Sequence, residues 1–213
     1  MKFVFIIVLF IVLGSPLACA GPLEEGKGAY DQHDYKTALR ELRPLAEQGD
    51  AAAQFMLGDI YDGGQYGVDE NLSEAVKWFR LSAEQGNPEA ADRLATRYDV
   101  GNGVRLDTEE AKKWYRVAAK GWRKLADNGD VRAQVGLADL YEFGNGVERD
   151  FAEVYFWYSI AAMDKSSSIY ALEDPAQAAA NAAKGLTAHQ KAVEDQRIKQ
   201  WTKIHRTAGA SSK

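Results

Sequence analysis

Apolar residues in the middle of the chain fall on one helical face, stop, and resume. Ala90, Leu94 and Tyr98 stand four residues apart and share a stripe. Asn87-Pro88 opens that helix as N-cap and first helical residue, where a missing N–H costs nothing. Gly101-Asn102-Gly103 ends it, supplying the positive φ values that turn the chain. Asp107 caps the next helix with Glu110 at its third position, a capping-box arrangement. Ala111, Trp114, Tyr115, Ala118 and Ala119 form the second apolar stripe. The pattern predicts a helix–turn–helix hairpin.

The hairpin is repeated. Upstream stand Leu57, Tyr61, Gly64, Gly67, Val68, Asn71, Ala75, Trp78, Phe79, Ser82 and Ala83. Downstream stand Leu137, Tyr141, Gly144, Gly146, Val147, Asp150, Val154, Trp157, Tyr158, Ala161 and Ala162. Glu74 and Glu153 repeat the capping box. A recurrence at about 40 residues marks a repeat architecture, in which each unit leaves an apolar face that its neighbour must cover.

The motif A-x3-LG-x2-Y-x2-G-x-GV-x2-D-x3-A-x2-WY-x2-AA resembles the Sel-1-like repeat, a branch of the tetratricopeptide-type α/α repeats. It covers roughly Gly49 to Ala162. The resemblance implies an all-α, right-handed α/α solenoid of about three repeats with capping helices at both ends. It also implies an interaction scaffold rather than an enzyme.

The flanks fit that plan. The chain divides into a leader over 1–20, an N-terminal degenerate repeat over 21–50, full repeats over 51–87, 88–130 and 131–163, a C-terminal loop and capping helices over 164–207, and a disordered tail over 208–213. In the leader, Lys2 precedes an apolar run from Phe3 to Leu13, then Gly14-Ser15-Pro16 and Ala18-Cys19-Ala20. The run is too short for a membrane span and ends in an A-x-A cleavage site, so it reads as a secretory signal. The expected location is the bacterial periplasm. Cys19 leaves a lipoprotein, anchored in the envelope as a structural protein, as the alternative. The second repeat carries seven extra residues between Ala118-Ala119 and Leu125-Ala126, just under two helical turns. One long second helix from Asp107 to about Asp127 follows, with its extra turns projecting from the stack and Trp122 either packed or exposed.

Composition narrows the function. With 26 basic and 31 acidic residues the net charge is −5, which argues against nucleic acid and anionic membrane surfaces as partners. His33, His189 and His205 lie in different elements and suggest no metal site, only solvated surface. No cofactor motif is present: the glycine pairs lack the strand and spacing of a phosphate loop. In tetratricopeptide-type stacks the first helix of each pair lines a concave groove. Counted from each motif leucine, the expected groove residues are Ala52, Phe55, Asp59 and Asp62; Glu89, Asp92, Thr96 and Asp99; and Arg132, Val135, Asp139 and Glu142. Seven acids face one base, an acidic surface suited to a protein or peptide with a basic face. Catalysis by paired carboxylates is disfavoured because these acids are expected on an open, wet surface. The expected function is therefore a monomeric, non-catalytic protein-interaction scaffold of the bacterial envelope. A periplasmic immunity protein neutralising a lipase-type effector of type VI secretion is the alternative.

Overall fold

Side-chain caps set the helix boundaries in the computed structural model, which describes residues 21–64, 66–171 and 173–210. The leader with Cys19, and Gln65 in the first turn, lie outside the described residues. Asp50, Asn87 and Asp130 accept hydrogen bonds from the first turns of α3 (Ala51–Gly63), α5 (Pro88–Val100) and α7 (Val131–Phe143). Asn71, Asp107 and Asp150 do the same for α4 (Leu72–Glu84), α6 (Thr108–Asp127) and α8 (Phe151–Ala161). Before them come α1 (Pro22–Asp31) and α2 (Tyr35–Glu47). After them come a 3-10 turn (Lys165–Ile169), α9 (Pro175–Ala183) and α10 (Ala188–Ala210). No strand occurs among the described residues. The fold is an all-α α/α solenoid of stacked hairpins.

The capping boxes are half made. The N-cap N–H groups of Asn71, Asp107 and Asp150 donate to the carbonyls of Tyr61, Tyr98 and Tyr141, so each turn is tied to the motif tyrosine rather than to the glutamate. A full box forms at α10, where Thr187 and Gln190 exchange bonds. The two glycines of each turn differ in task. Gly101 and Gly144 cap in the left-handed region. Gly103 and Gly146 also have positive φ, and each presses on the hairpin before it. A Cβ would lie 2.5 Å from the Leu72 carbonyl oxygen at Gly103 and 2.6 Å from the Tyr115 backbone at Gly146.

Stacking buries Leu57, Leu94 and Leu137 with the motif alanines. A clasp recurs between hairpins. Arg43, Arg80 and Arg123, each on a second helix, donate to the hydroxyls of Tyr61, Tyr98 and Tyr141 on the next first helix. Donor and acceptor stand 18 residues apart each time. The motif tryptophans are not equivalent. Trp78 and Trp157 are buried, but Trp114 is only half-buried, and Tyr115 beside it takes the core position.

The extra turns of α6 do not project. Trp122 is 6% exposed and lies over Gly136 of α7, and Gly121 fits beside Pro88 at the start of α5. They are sandwiched between hairpins because a seven-residue step keeps nearly the same helical face inward. At the C-terminal end, α8 is apolar on nearly every side, and α9 and α10 cover it. Arg197 lies 3.7 Å from the Phe156 ring and pairs with Glu153 at 2.7 Å. His33 and His189 are exposed, but His205 is not the solvated residue expected. It stacks on Trp201 with centroids 3.7 Å apart, and its Nε2 meets the Asp127 carbonyl at 2.9 Å, tying α10 to the end of α6. The last helix continues to Ala210, into the 208–213 segment expected to be a disordered tail. No described helix is long and apolar enough to cross a membrane.

Candidate partner-binding surface

The first helices α3, α5 and α7 bring the expected residues to one side, but with unequal surroundings. Phe55 is half-buried, its ring centroid 6.0 Å from that of Phe79, so it belongs to the packing. Asp59 accepts from the Tyr30 hydroxyl at 2.5 Å and has Arg93 at 3.8 Å. Asp62 is bound by Arg97 at 2.5 Å. Burial pushes the Asp62 carboxyl up, against the pull of Arg97. Glu89 pairs with Arg132. Asp99 is exposed and turned toward Thr108, Lys112 and Gly146. Glu142 receives the Tyr158 hydroxyl at 3.4 Å.

Five of the expected residues meet in one cavity. Glu89, Asp92 and Thr96 from α5 face Arg132 and Asp139 from α7 across about 480 Å³. Tyr115 and Trp122 of α6 also line the space. Phe143 and Tyr170, 63% and 44% exposed, stand at its edge. Thr96 is placed by its own helix, its hydroxyl reaching the Asp92 carbonyl at 3.1 Å, and lies 3.3 Å from the Tyr115 hydroxyl. Asp139 accepts from the Tyr158 hydroxyl.

The electrostatics depart from an open acidic strip. Arg93 and Arg97 were missed because they sit one residue before and three after Leu94, off the positions counted from the motif. The signal was nonetheless present: Asp62 and Arg97 stand 35 residues apart, about one repeat, with opposite charge. Inter-repeat pairs thus answer Asp62 and Glu89, with Arg93 nearby for Asp59. What remains is concentrated at Asp92 and Asp139. Both are half-buried in the cavity wall rather than exposed on an open surface. Burial pushes Asp92 up to about 6, with Arg93 opposing. Burial also pushes Asp139 up to about 6, the Tyr158 hydrogen bond opposing and the Asp92 charge adding. Among the described residues no group of three or more His, Cys, Asp or Glu is placed to hold a metal.

The Sel1 repeat profile matches residues 51–87, 88–121 and 131–166, which together make up half of the chain. One curated relative is DAP3-binding cell death enhancer 1 of Rattus norvegicus, 40% identical over 67 residues, or 32% of this chain and 13% of that protein. Another is the chitin synthase regulator SKT5 of Saccharomyces cerevisiae, 32% identical over 84 residues, or 39% of this chain and 12% of that protein. The chain thus spans only a small part of these relatives. A Sel1 repeat protein from Oxalobacter formigenes, known from its crystal structure, is 26% identical, with a TM-score of 0.48 over 89% of this chain and 84% of that one. Proteins built from such repeats are typically protein-interaction scaffolds. On its three matched repeats and its stacked helical hairpins, the chain belongs to the Sel1 repeat family.

Proposed function

We propose that this protein is a non-catalytic scaffold that binds a protein or peptide partner on the face formed by α3, α5 and α7. The observation that carries the reading is the cavity between α5 and α7, which combines exposed aromatic rings at its edge with carboxylates inside. Such a mixture of aromatic anchors and placed polar groups suits recognition. It does not suit acid–base catalysis. A working pair of carboxylates needs surroundings that push the two pKa values apart, whereas burial pushes Asp92 and Asp139 in the same direction. The leader supports export, so the partner is sought in the bacterial envelope.

The test is a photo-crosslinking amino acid placed at Thr96, inside the cavity, and separately at Lys77, an exposed residue of α4. Irradiation in envelope extracts should give a protein adduct from position 96 and not from 77. Equal adducts from both positions, or none from 96, would refute this surface.

A further inference from the structure

The cavity has a cause in the sequence. Helices α4 and α8 have 13 and 11 residues, whereas α6 has 20. The seven added residues could have disrupted the stack, yet the 18-residue arginine–tyrosine clasp is preserved on either side, Arg80 with Tyr98 and Arg123 with Tyr141. The insertion therefore carries the whole interface with α7 further along the axis of α6. Where no insertion intervenes, α3 and α5 touch and are bridged by the Asp59–Arg93 and Asp62–Arg97 pairs. After the insertion, α5 and α7 stand on opposite sides of the 480 Å³ space, with Trp122 of the inserted turn in its wall.

The polar groups in this space are unusual for the repeat. Position 92 corresponds to Phe55 in the repeat before and Val135 in the repeat after. Val135 is fully buried and Phe55 packs on the core. A carboxylate has replaced carbon at a position that otherwise serves packing. Among the described residues its oxygens take part in no hydrogen bond and no ion pair, and the adjacent Arg93 leans toward Asp59. The other charges lining the space are accounted for. Glu89 and Arg132 neutralise each other, and Arg132 also lies over the Tyr170 ring at 5.8 Å. Asp139 has a hydroxyl donor but no cation. Among the described residues, Asp92 and Asp139 are thus the two carboxylates of this space without a cationic partner.

We propose that the α6 insertion opens a socket between α5 and α7 that receives one lysine or arginine side chain of the partner, its cationic head held by Asp92 and Asp139. This deepens the scaffold reading above and rests on it. The apolar stem of such a side chain fits along Trp122 and Leu140, with Phe143 at the mouth. The arginines at the edge, Arg93 and Arg132, oppose entry of a second cation. Both carboxylates are partly protonated near pH 6, so occupancy rises with pH through that value. The titratable groups facing them are Tyr115 of α6, Tyr158 of α8, Tyr170 after the 3-10 turn, and Glu89, Arg93, Arg132 and Glu142 of α5 and α7.

The experiment uses the 15N-labelled protein and three probes: the Nα-acetyl methylamides of lysine, arginine and norleucine. At pH 7.5 the lysine or arginine probe should shift the amides of Thr96, Gly136 and Asn145 saturably, while norleucine should not. The affinity should fall about tenfold at pH 5 and about tenfold in Asp92→Asn, each a loss of one charge contact. A second variant lacks Lys120–Ala126. That deletion places Arg116 at the clasp distance from Tyr141, so the stack can re-form while the socket closes, and binding should be lost. Absence of saturable shifts with both cationic probes, or equal shifts with norleucine, would overturn the socket. So would unchanged affinity in Asp92→Asn. A Thr96 adduct without cationic-probe binding removes the socket and keeps the scaffold. Probe binding without any Thr96 adduct leaves a cation-binding cavity but overturns both the scaffold and its partner's side chain as the occupant.

Discussion

Asp92 enters a half-buried niche in which only Arg93 offsets the loss of water, so burial dominates and its carboxyl rises to about 6. The direction with pH follows. The folded state holds this proton more tightly than the unfolded chain does. The penalty on folding is therefore absent well below pH 4, grows as pH rises toward 6, and is complete above it. Asp92→Asn should stabilise the protein by about 1–3 kcal/mol at pH 7.5 and by much less at pH 4, read from urea unfolding at both values. Equal effects at both pH values would show that Asp92 is not desolvated. Part of this was visible in the sequence, because the column Phe55, Asp92, Val135 is a carboxylate between two hydrophobes. The burial was not visible, since helical periodicity assigns a face but not the distance to the next helix. The same limit hid the half-exposure of Trp114. Its stripe is that of Trp78 and Trp157, yet only those two are buried.

Helices were legible because their ends are chemically explicit. Asp or Asn before each motif helix and glycine after each motif hairpin's first one fix the boundaries with little help from packing. The C-terminal cover was less legible. α10 carries charged residues around most of its surface, so its inward side is set by what α8 offers rather than by its own pattern. Phe156 takes Arg197, Tyr155 takes Asp195 at 2.6 Å, and the end of α6 takes His205. Helix α8, apolar on nearly all sides, needs this cover. Removing residues 199–213 deletes Trp201 and His205 and should lower the melting midpoint by several degrees, on the scale of about 4 °C per kcal/mol for a chain of this size. It should also raise binding of a hydrophobic dye. A truncated protein with unchanged melting and dye binding would show that α10 beyond Ile198 is not part of the cover.

A solenoid owes its stability to contacts between neighbours, and here no disulfide supplements them among the described residues, since the single cysteine is Cys19. Whether the stack unfolds as one unit therefore depends on its weakest interface. The junction between the second and third repeats has a distinctive member. Arg123 donates to Tyr141 at 2.7 Å and to Glu153 at 3.1 Å, and its guanidinium lies 5.1 Å from the Trp157 ring. One side chain of α6 thus holds both helices of the following hairpin. The clasps formed by Arg43 and Arg80 show no such second helix contact. Arg123→Ala should cost about 2–4 kcal/mol, because it removes a charged donor and leaves Glu153 with Arg197 as its one cation beside the Trp157 indole N–H. The consequence at the scale of the molecule is uncoupling. In the parent protein, unfolding followed by helix content and by tryptophan emission should coincide. In Arg123→Ala, emission from Trp157 and Trp201 in the C-terminal part should change at lower urea than the helical signal as a whole. Coincident transitions in the variant, even at reduced stability, would mean that the remaining contacts across α6 and α7 still couple the repeats. The junction would then not be where the stack divides.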